Sequence, residues 1–253
     1  STPLYSSAAS DVYKRQVSHT VNIIGMGESS VAEEIEDMFD AKNPTVAPYA
    51  KSGEVRLRIT AKAETADEAD KMCAPVVDEI CSRLGDVVYG TDMNSIEERV
   101  VALLKEKGKK IATAESCTAG YIPKRLTDIP GASEVFECGI VSYSNDIKTK
   151  LLGVSPKTLE TYGAVSEQTA REMALGAKHV SGADIAISTT GLAGPGGDGV
   201  LPGGLSFAAV TDGERTVVEK IVTGHGNDRE YNRYVTASRA LNLARLMLEE
   251  KMK

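Results

Sequence analysis

"KIATAESCTAG", residues 110–120, joins two patterns at a polar junction. "KIATA" reads as a short strand, and "CTAGYIPKRLTDI" carries apolar residues at helical spacing. A strand that feeds a helix through a polar turn is the repeating unit of an α/β layered domain. Ligands of such domains bind at the carboxyl ends of strands. Glu115-Ser116-Cys117-Thr118 therefore marks a candidate site, and it offers two nucleophiles side by side.

Working outward, the alternation continues. Ser95 and Glu98 form a capping box that opens "IEERVVALLKEKG", with Gly108 as its stop. "FECGIVSYS" reads as a strand, "NDIKTKLLG" and "PKTLETYG" as short helices, "SEQTAREMALGAKHVSG" as a longer one. "DIAISTTG" is an apolar strand, and two further strands form a hairpin about Asp212-Gly213. "NDREYNRYVTASRALNLARLMLEE" closes the chain as a helix, with Asn227 and Glu230 as its capping pair. The expected fold is α/β: a mixed sheet with helices on both faces. Two more polar clusters lie at strand ends, Tyr143-Ser144-Asn145 and Thr189-Thr190-Gly191.

Upstream of a linker at "GTDMNS", residues 17–91 read as a small α+β unit in the order βα–βαβ. Its strands are Val21–Ile24, "VRLRITAKA" and "DVVYG"; "KNPTVAPYAKSGE" reads as turns. "GMGESS" reads as a tight turn with Ser as N-cap, lacking the third glycine of a dinucleotide fingerprint and the Lys of a P-loop. Residues 92–253 form the large domain. Residues 1–16 begin without Met, lack periodicity and contain "DVYKRQ", which resembles one reading frame of a sequencing-library adapter. This predicts a non-native leader outside the fold.

Composition narrows the function classes. Of the 253 residues 42% are apolar, Trp is absent and only three are Phe, so the core is aliphatic. A net charge of −7 speaks against a broad nucleic-acid surface. No apolar run approaches the ~20 residues that span a bilayer. The cysteines Cys73, Cys81, Cys117 and Cys138 form no C-x-x-C pair and lie far from the three histidines, so no metal site is expected. Scattered thiols fit a reducing cytoplasm.

A serine needs a base to attack at neutral pH. The S-x-x-K arrangement fails, because Ala119 stands three residues after Ser116, and Lys124 lies two turns further along. "YSNDIK" offers Tyr143 and Lys148, which converge at one strand end if Asn145 starts a helical turn; Lys150 would face away. A desolvated Lys loses its proton near neutrality, and a Tyr hydroxyl can relay one. Cys117 would need a histidine, and neither His179 nor His225 is obviously placed, so chemistry favours Ser116. At a helix N-terminus Cys117 would have a lowered pKa and be open to oxidation. The plain alternative is that Ser116 caps the following helix. Seven glycines between Gly191 and Gly204 let backbone approach a ligand closely.

Taken together, "ATAESCTAG", "YSNDIK", "LLGV", "YGAVSE", "TTGLAGPGG" and "GNDREYNR" resemble, in this order, the C-terminal domain of the CinA (competence/damage-inducible) family, a nicotinamide-mononucleotide amidase. The front unit is similar to the KH-like middle domain of full-length members, but has no basic GXXG loop, so RNA binding is not carried over. Full-length members also have an upstream pyrophosphatase domain, which the adapter reading places before this chain. The resemblance implies hydrolysis of the carboxamide of nicotinamide mononucleotide to nicotinate mononucleotide and ammonia, without cofactor or metal. Its partners would be a small nucleotide substrate and a second copy of the chain (a dimer), with neither nucleic acid nor membrane. It implies Ser116 as nucleophile and Tyr143 and Lys148 as its activating pair. Glu115, Cys117, Thr118, Asn145, Ala164, Val165, Thr190, Gly191 and Gly194 would line the substrate site, with Arg229 and Arg233 on one helix face for the phosphate. N–H groups near Cys117–Thr118 or Gly191–Gly194 would hold the oxyanion. Departures from the family pattern are Ala119 for a second Gly, Gly203 within "PGG" for "PVG", and Pro123, which should kink the helix after Ser116 or shift its start. A nucleotide-binding or regulatory module without turnover is the alternative.

Overall fold

The computed structural model describes residues 15–51 and 53–252. They fall into two compact units that divide after Met93, two residues beyond the boundary expected from the sequence.

The small unit is a four-stranded antiparallel sheet of order β2-β3-β1-β4 with two helices. Its elements are β1 (Arg15–Ile24), α1 (Glu28–Glu34), β2 (Thr45–Lys51), β3 (Glu54–Ala63), α2 (Ala66–Leu84) and β4 (Val88–Thr91). Three sequence expectations change here. β2 is a strand where turns were expected; Pro48 sits in it because β2 lies at the sheet edge, where a missing N–H breaks no ladder. β1 begins at Arg15, and Arg15 and Gln16 pair with Ala63 and Lys62, so two residues assigned to the leader belong to the sheet. The rest of that expectation lies outside the described residues. The N-cap of α1 is Gly27, without a side-chain bond, and both serines of "GMGESS" lie inside the helix. α2 is opened by a complete capping box, Thr65 with Glu68, and stopped at Gly85. Val21, Ile23, Leu57, Ile59, Cys73 and Ile80 are among the residues of its core.

The large unit is built on a five-stranded mixed sheet of order β6-β5-β7-β8-β9. Its strands are β5 (Ile111–Glu115), β6 (Phe136–Val141), β7 (Ile185–Gly191), β8 (Leu205–Thr211) and β9 (Thr216–Val222). β5 runs parallel to both β6 and β7, whereas β7–β8 and β8–β9 are antiparallel. One helical layer contains α3 (Ile96–Lys107), α4 (Tyr121–Thr127) and α8 (Arg229–Leu248). The other contains α5 (Asn145–Leu152), α6 (Pro156–Tyr162) and α7 (Glu167–Ser181). This is the α/β layered architecture expected from the alternation. Small side chains let the layers approach: Ala112, Ala114, Ala177, Ala183 and Ala186 are buried beside Leu152, Val154 and Met173. Because β5 lies between two strands parallel to it, the carboxyl ends of β5, β6 and β7 open on the same edge of the sheet, where the polar clusters lie.

Local chemistry sets the details. Ser95 accepts from the N–H of Glu98, whose carboxylate accepts from the N–H of Asn94. Asp228, rather than Asn227, caps α8 by accepting from the N–H of Tyr231. α4 starts at Tyr121, not at Cys117. Pro123 thus falls at its third residue, where its absent N–H would have had no helical partner, and the helix start shifts instead of kinking. No helix among the described residues is long and apolar enough to cross a membrane.

Candidate active site

β5 ends in Glu115, and the chain then makes a tight turn through Ser116–Gly120 before α4. Ala119 (φ 49°) and Gly120 (φ 86°) both occupy the left-handed region, which costs a residue with a Cβ about 1–2 kcal/mol. The turn is tied at several points. The N–H of Ser116 donates to the carbonyl of Thr189 (2.9 Å), the Thr118 and Thr189 hydroxyls meet at 2.6 Å, and the N–H of Ile122 donates to Glu115 Oε2 (3.1 Å). Gly120, not Ser116, is the N-cap of α4, so the Ser116 hydroxyl is not spent on capping.

Its partner is Lys148. Ser144 caps α5, accepting from the N–H of Ile147, so Asn145 begins a helix and Lys148 points back under the strand ends. Lys148 Nζ lies 3.2 Å from Ser116 Oγ, 2.8 Å from the Ser142 carbonyl and 3.3 Å from the Tyr143 carbonyl. Lys148 is 1% exposed, and burial holds its pKa below the ordinary lysine value. Carbonyls only accept. In a neutral amine the two N–H bonds go to Ser142 and Tyr143, and the lone pair is left facing Ser116, the one neighbour with a proton to give.

Tyr143 meets Lys148 through its main chain. Its ring is 63% exposed, and its hydroxyl lies 3.4 Å from Arg229 Nη2. Arg229 also donates through Nη1 to the Gly194 carbonyl (2.6 Å). Ser116, Cys117, Tyr143, Lys148 and Arg229 line a cavity of about 310 Å³, closed on the other sides by Ala164–Val165 and by Thr190 through Gly197. The Thr190 hydroxyl donates to the Ala164 carbonyl (2.6 Å) and fixes the corner that carries Ala164 and Val165. At Gly194 (φ 91°) a Cβ would lie within contact of the Gly226 carbonyl, so only glycine lets that wall fold inward. Among the described residues, the N–H groups of Cys117, Ala193 and Gly194 at this cavity donate to no protein acceptor.

Other expected site residues lie elsewhere. Glu115, Thr118, Asn145 and Arg233 do not line the cavity. Glu115 is fully buried beneath the turn; burial raises its pKa, opposed by the hydrogen bonds it accepts, and Oε1 has no protein partner. Asn145 is exposed at the start of α5. Arg233 donates to the Thr118 carbonyl (2.7 Å) and stacks over Tyr121, supporting the turn from α8. Cys117 is not at a helix N-terminus. Burial pushes its thiol up to about 12, so the lowered pKa expected from sequence is replaced by a protonated, inert thiol. His179 and His225 do not line the cavity. Leu192, Ala193, Pro195, Gly196 and Gly197 also line the wall; the sequence reading singled out the glycine run 191–204 and the Gly191–Gly194 N–H groups, but did not name these residues one by one.

The model of the CinA C-terminal domain matches residues 93–248, and that of the damage-inducible protein CinA KH domain matches residues 18–90. The chain belongs to the CinA family. A putative competence-damage inducible protein of Clostridium beijerinckii is 53% identical over 214 residues, which cover 83% of this chain and 52% of that protein. A CinA-like protein of Desulfovibrio desulfuricans is 45% identical over 231 residues, 90% of this chain and 54% of that one. The chain thus spans about half the length of the curated relatives it matches. Among solved structures, the competence/damage inducible protein CihA of Agrobacterium tumefaciens is 38% identical with a TM-score of 0.58, covering 61% of this chain and 93% of that one. A CinA superfamily protein of Escherichia coli is 32% identical with a TM-score of 0.56, covering 61% and 92%.

Proposed function

We propose that the large unit hydrolyses the carboxamide of nicotinamide mononucleotide, giving nicotinate mononucleotide and ammonia. The observation that carries this reading is the 3.2 Å contact between Ser116 Oγ and the buried Lys148 Nζ at the floor of a cavity. Neutral Lys148 takes the Ser116 proton as Oγ bonds to the carboxamide carbon. The carbonyl electron pair moves to oxygen, and the free N–H groups of Cys117, Ala193 and Gly194 are the available donors for it. As the oxyanion collapses, the C–N bond breaks, Lys148 returns its proton to nitrogen and ammonia leaves. Water then attacks the acyl-enzyme, again giving a proton to Lys148, and the acid is released as Ser116 is reprotonated. Arg229 at the mouth of the cavity supplies the charge for the phosphate; Arg233, committed to the Thr118 carbonyl, supports the turn.

The test is ammonia release from nicotinamide mononucleotide by the full chain. Ser116→Ala should lower kcat by on the order of 10³-fold or more. Equal activity in both proteins refutes the nucleophile. Binding without turnover in the wild type would favour a nucleotide-binding regulatory role.

A further inference from the structure

The Tyr143 side chain is the part of the cavity that the Ser116–Lys148 pair leaves unused. Lys148 contacts the Tyr143 carbonyl and not its hydroxyl. The hydroxyl is directed at Arg229, whose other terminal nitrogen is fixed on Gly194, so the ring is anchored at the cavity mouth with most of its surface open. The lining includes no carboxylate and no second aromatic ring, while Lys148 and Arg229 are both basic.

That composition bears on a specific feature of N-ribosylated nicotinamide: its ring nitrogen is quaternary and permanently positive. A cationic ring in this cavity finds no acidic side chain to balance it, and Arg229 repels it. The negative π face of Tyr143, the one aromatic ring in the lining, is a group able to attract it.

We infer that Tyr143 is the specificity-determining residue for a cationic pyridinium ring, which it recognises through its π face, with its hydroxyl serving to hold the ring against Arg229. This rests on the amidase reading and deepens it: the substrate class becomes N-quaternised pyridine carboxamides in preference to neutral aromatic amides of the same shape.

The test compares nicotinamide mononucleotide with its dihydro form, which keeps the carboxamide, ribose and phosphate but has a neutral ring. Binding is measured by calorimetry in Ser116→Ala, where no turnover intervenes. The oxidised nucleotide should bind about 2- to 30-fold more tightly, the range of a cation–π contact from exposed to desolvated. Adding Tyr143→Leu should abolish that preference, and adding Tyr143→Phe should retain it. A preference that survives Tyr143→Leu overturns the inference. Failure of both nucleotides to bind Ser116→Ala, together with no ammonia release by the wild type, refutes the amidase reading itself.

Discussion

Gly176, in the middle of α7, tests how tightly the scaffold holds Lys148. A Cβ at this position would lie close against the Leu152 carbonyl oxygen and 2.7 Å from its carbon, main-chain atoms at the end of α5. Lys148 is one turn earlier on the same helix. Two effects of Gly176→Ala oppose each other. Helix propensity favours Ala by about 0.8–1 kcal/mol. Overpacking against backbone that cannot rotate away costs about 1–3 kcal/mol, and more if the helices cannot part. The clash should win, because ordinary van der Waals contact begins near 3.4 Å, and α5 would have to retreat by more than an ångström to reach it. For a unit of this size the expected loss is roughly 2–4 °C in Tm per kcal/mol, read by calorimetry on the full chain.

Activity should respond more than stability does. A retreat of α5 lengthens the Lys148–Ser116 contact, and misplacement of about 1 Å costs on the order of 10²-fold. The loss should fall on kcat, because Arg229 and the 191–197 wall are carried by other elements. Gly182→Ala is the control. It caps α7 at φ 70° with no neighbour within 4 Å, so it strains the backbone by about 1–2 kcal/mol without pushing α5. It should lower Tm while leaving kcat unchanged where the protein is folded. A Gly176→Ala enzyme that is more stable than wild type, or that loses no more kcat than Gly182→Ala, would refute the reasoning.

Two further outcomes follow from titration. Burial lowers the Lys148 pKa, and the active form is the neutral amine, so kcat/KM for ammonia release should rise with pH through a single inflection below 10.5. Lys148→Met should lower activity by about 10²–10⁴-fold and erase the inflection; an inflection that survives assigns it to another group. In the small unit, His19 on β1 donates to Asp92 (2.6 Å) and Asp70 (2.8 Å) through its two ring nitrogens, which requires the imidazolium. These carboxylates, from α2 and from the segment after β4, raise its pKa, with Asp92 the larger cause and burial opposing. Its stabilisation is therefore complete below about 6.5 and lost as pH rises through the raised value. The stability gap between wild type and His19→Gln, measured by denaturant titration, should narrow from pH 6 to 9; a constant gap would sink the idea.

Much of the candidate site was legible because it depends on local rules. A strand, a polar turn and a helix locate Ser116; a helical turn starting at Asn145 brings Lys148 to the same strand end. What was not legible depends on what each residue faces across the fold. Arg229 and Arg233 are one turn apart and share a helix face, yet Arg229 reaches the cavity mouth and Arg233 the Thr118 carbonyl. Spacing could not distinguish them, because the first turn of α8 meets two different loops. β2 was hidden by composition: Asn, Pro and Gly around Thr45–Lys51 are turn signals, and only an edge position makes Pro48 compatible with a strand. The length of β1 was hidden for the converse reason. "RQVSHT" has little apolar content, and its pairing with β3 is what extends the strand.

On the amidase reading, the choice between Ser116 and Cys117 turns on one physical effect acting on groups of opposite charge type. Burial at the ends of β5 and β6 disfavours every charged form. For an amine the disfavoured form is the protonated one, so Lys148 is driven toward the free base. For a thiol it is the thiolate, so Cys117 is driven toward the inert acid, at a pKa of about 12. Glu115 is pushed the same way, toward a neutral carboxyl that would not compete for the lysine as a counter-ion. A serine hydroxyl needs no prior ionisation, only a neutral base within reach at the moment of attack, and Lys148 Nζ lies 3.2 Å away. The dry environment that silences the better intrinsic nucleophile is therefore the same one that prepares the base for the poorer one.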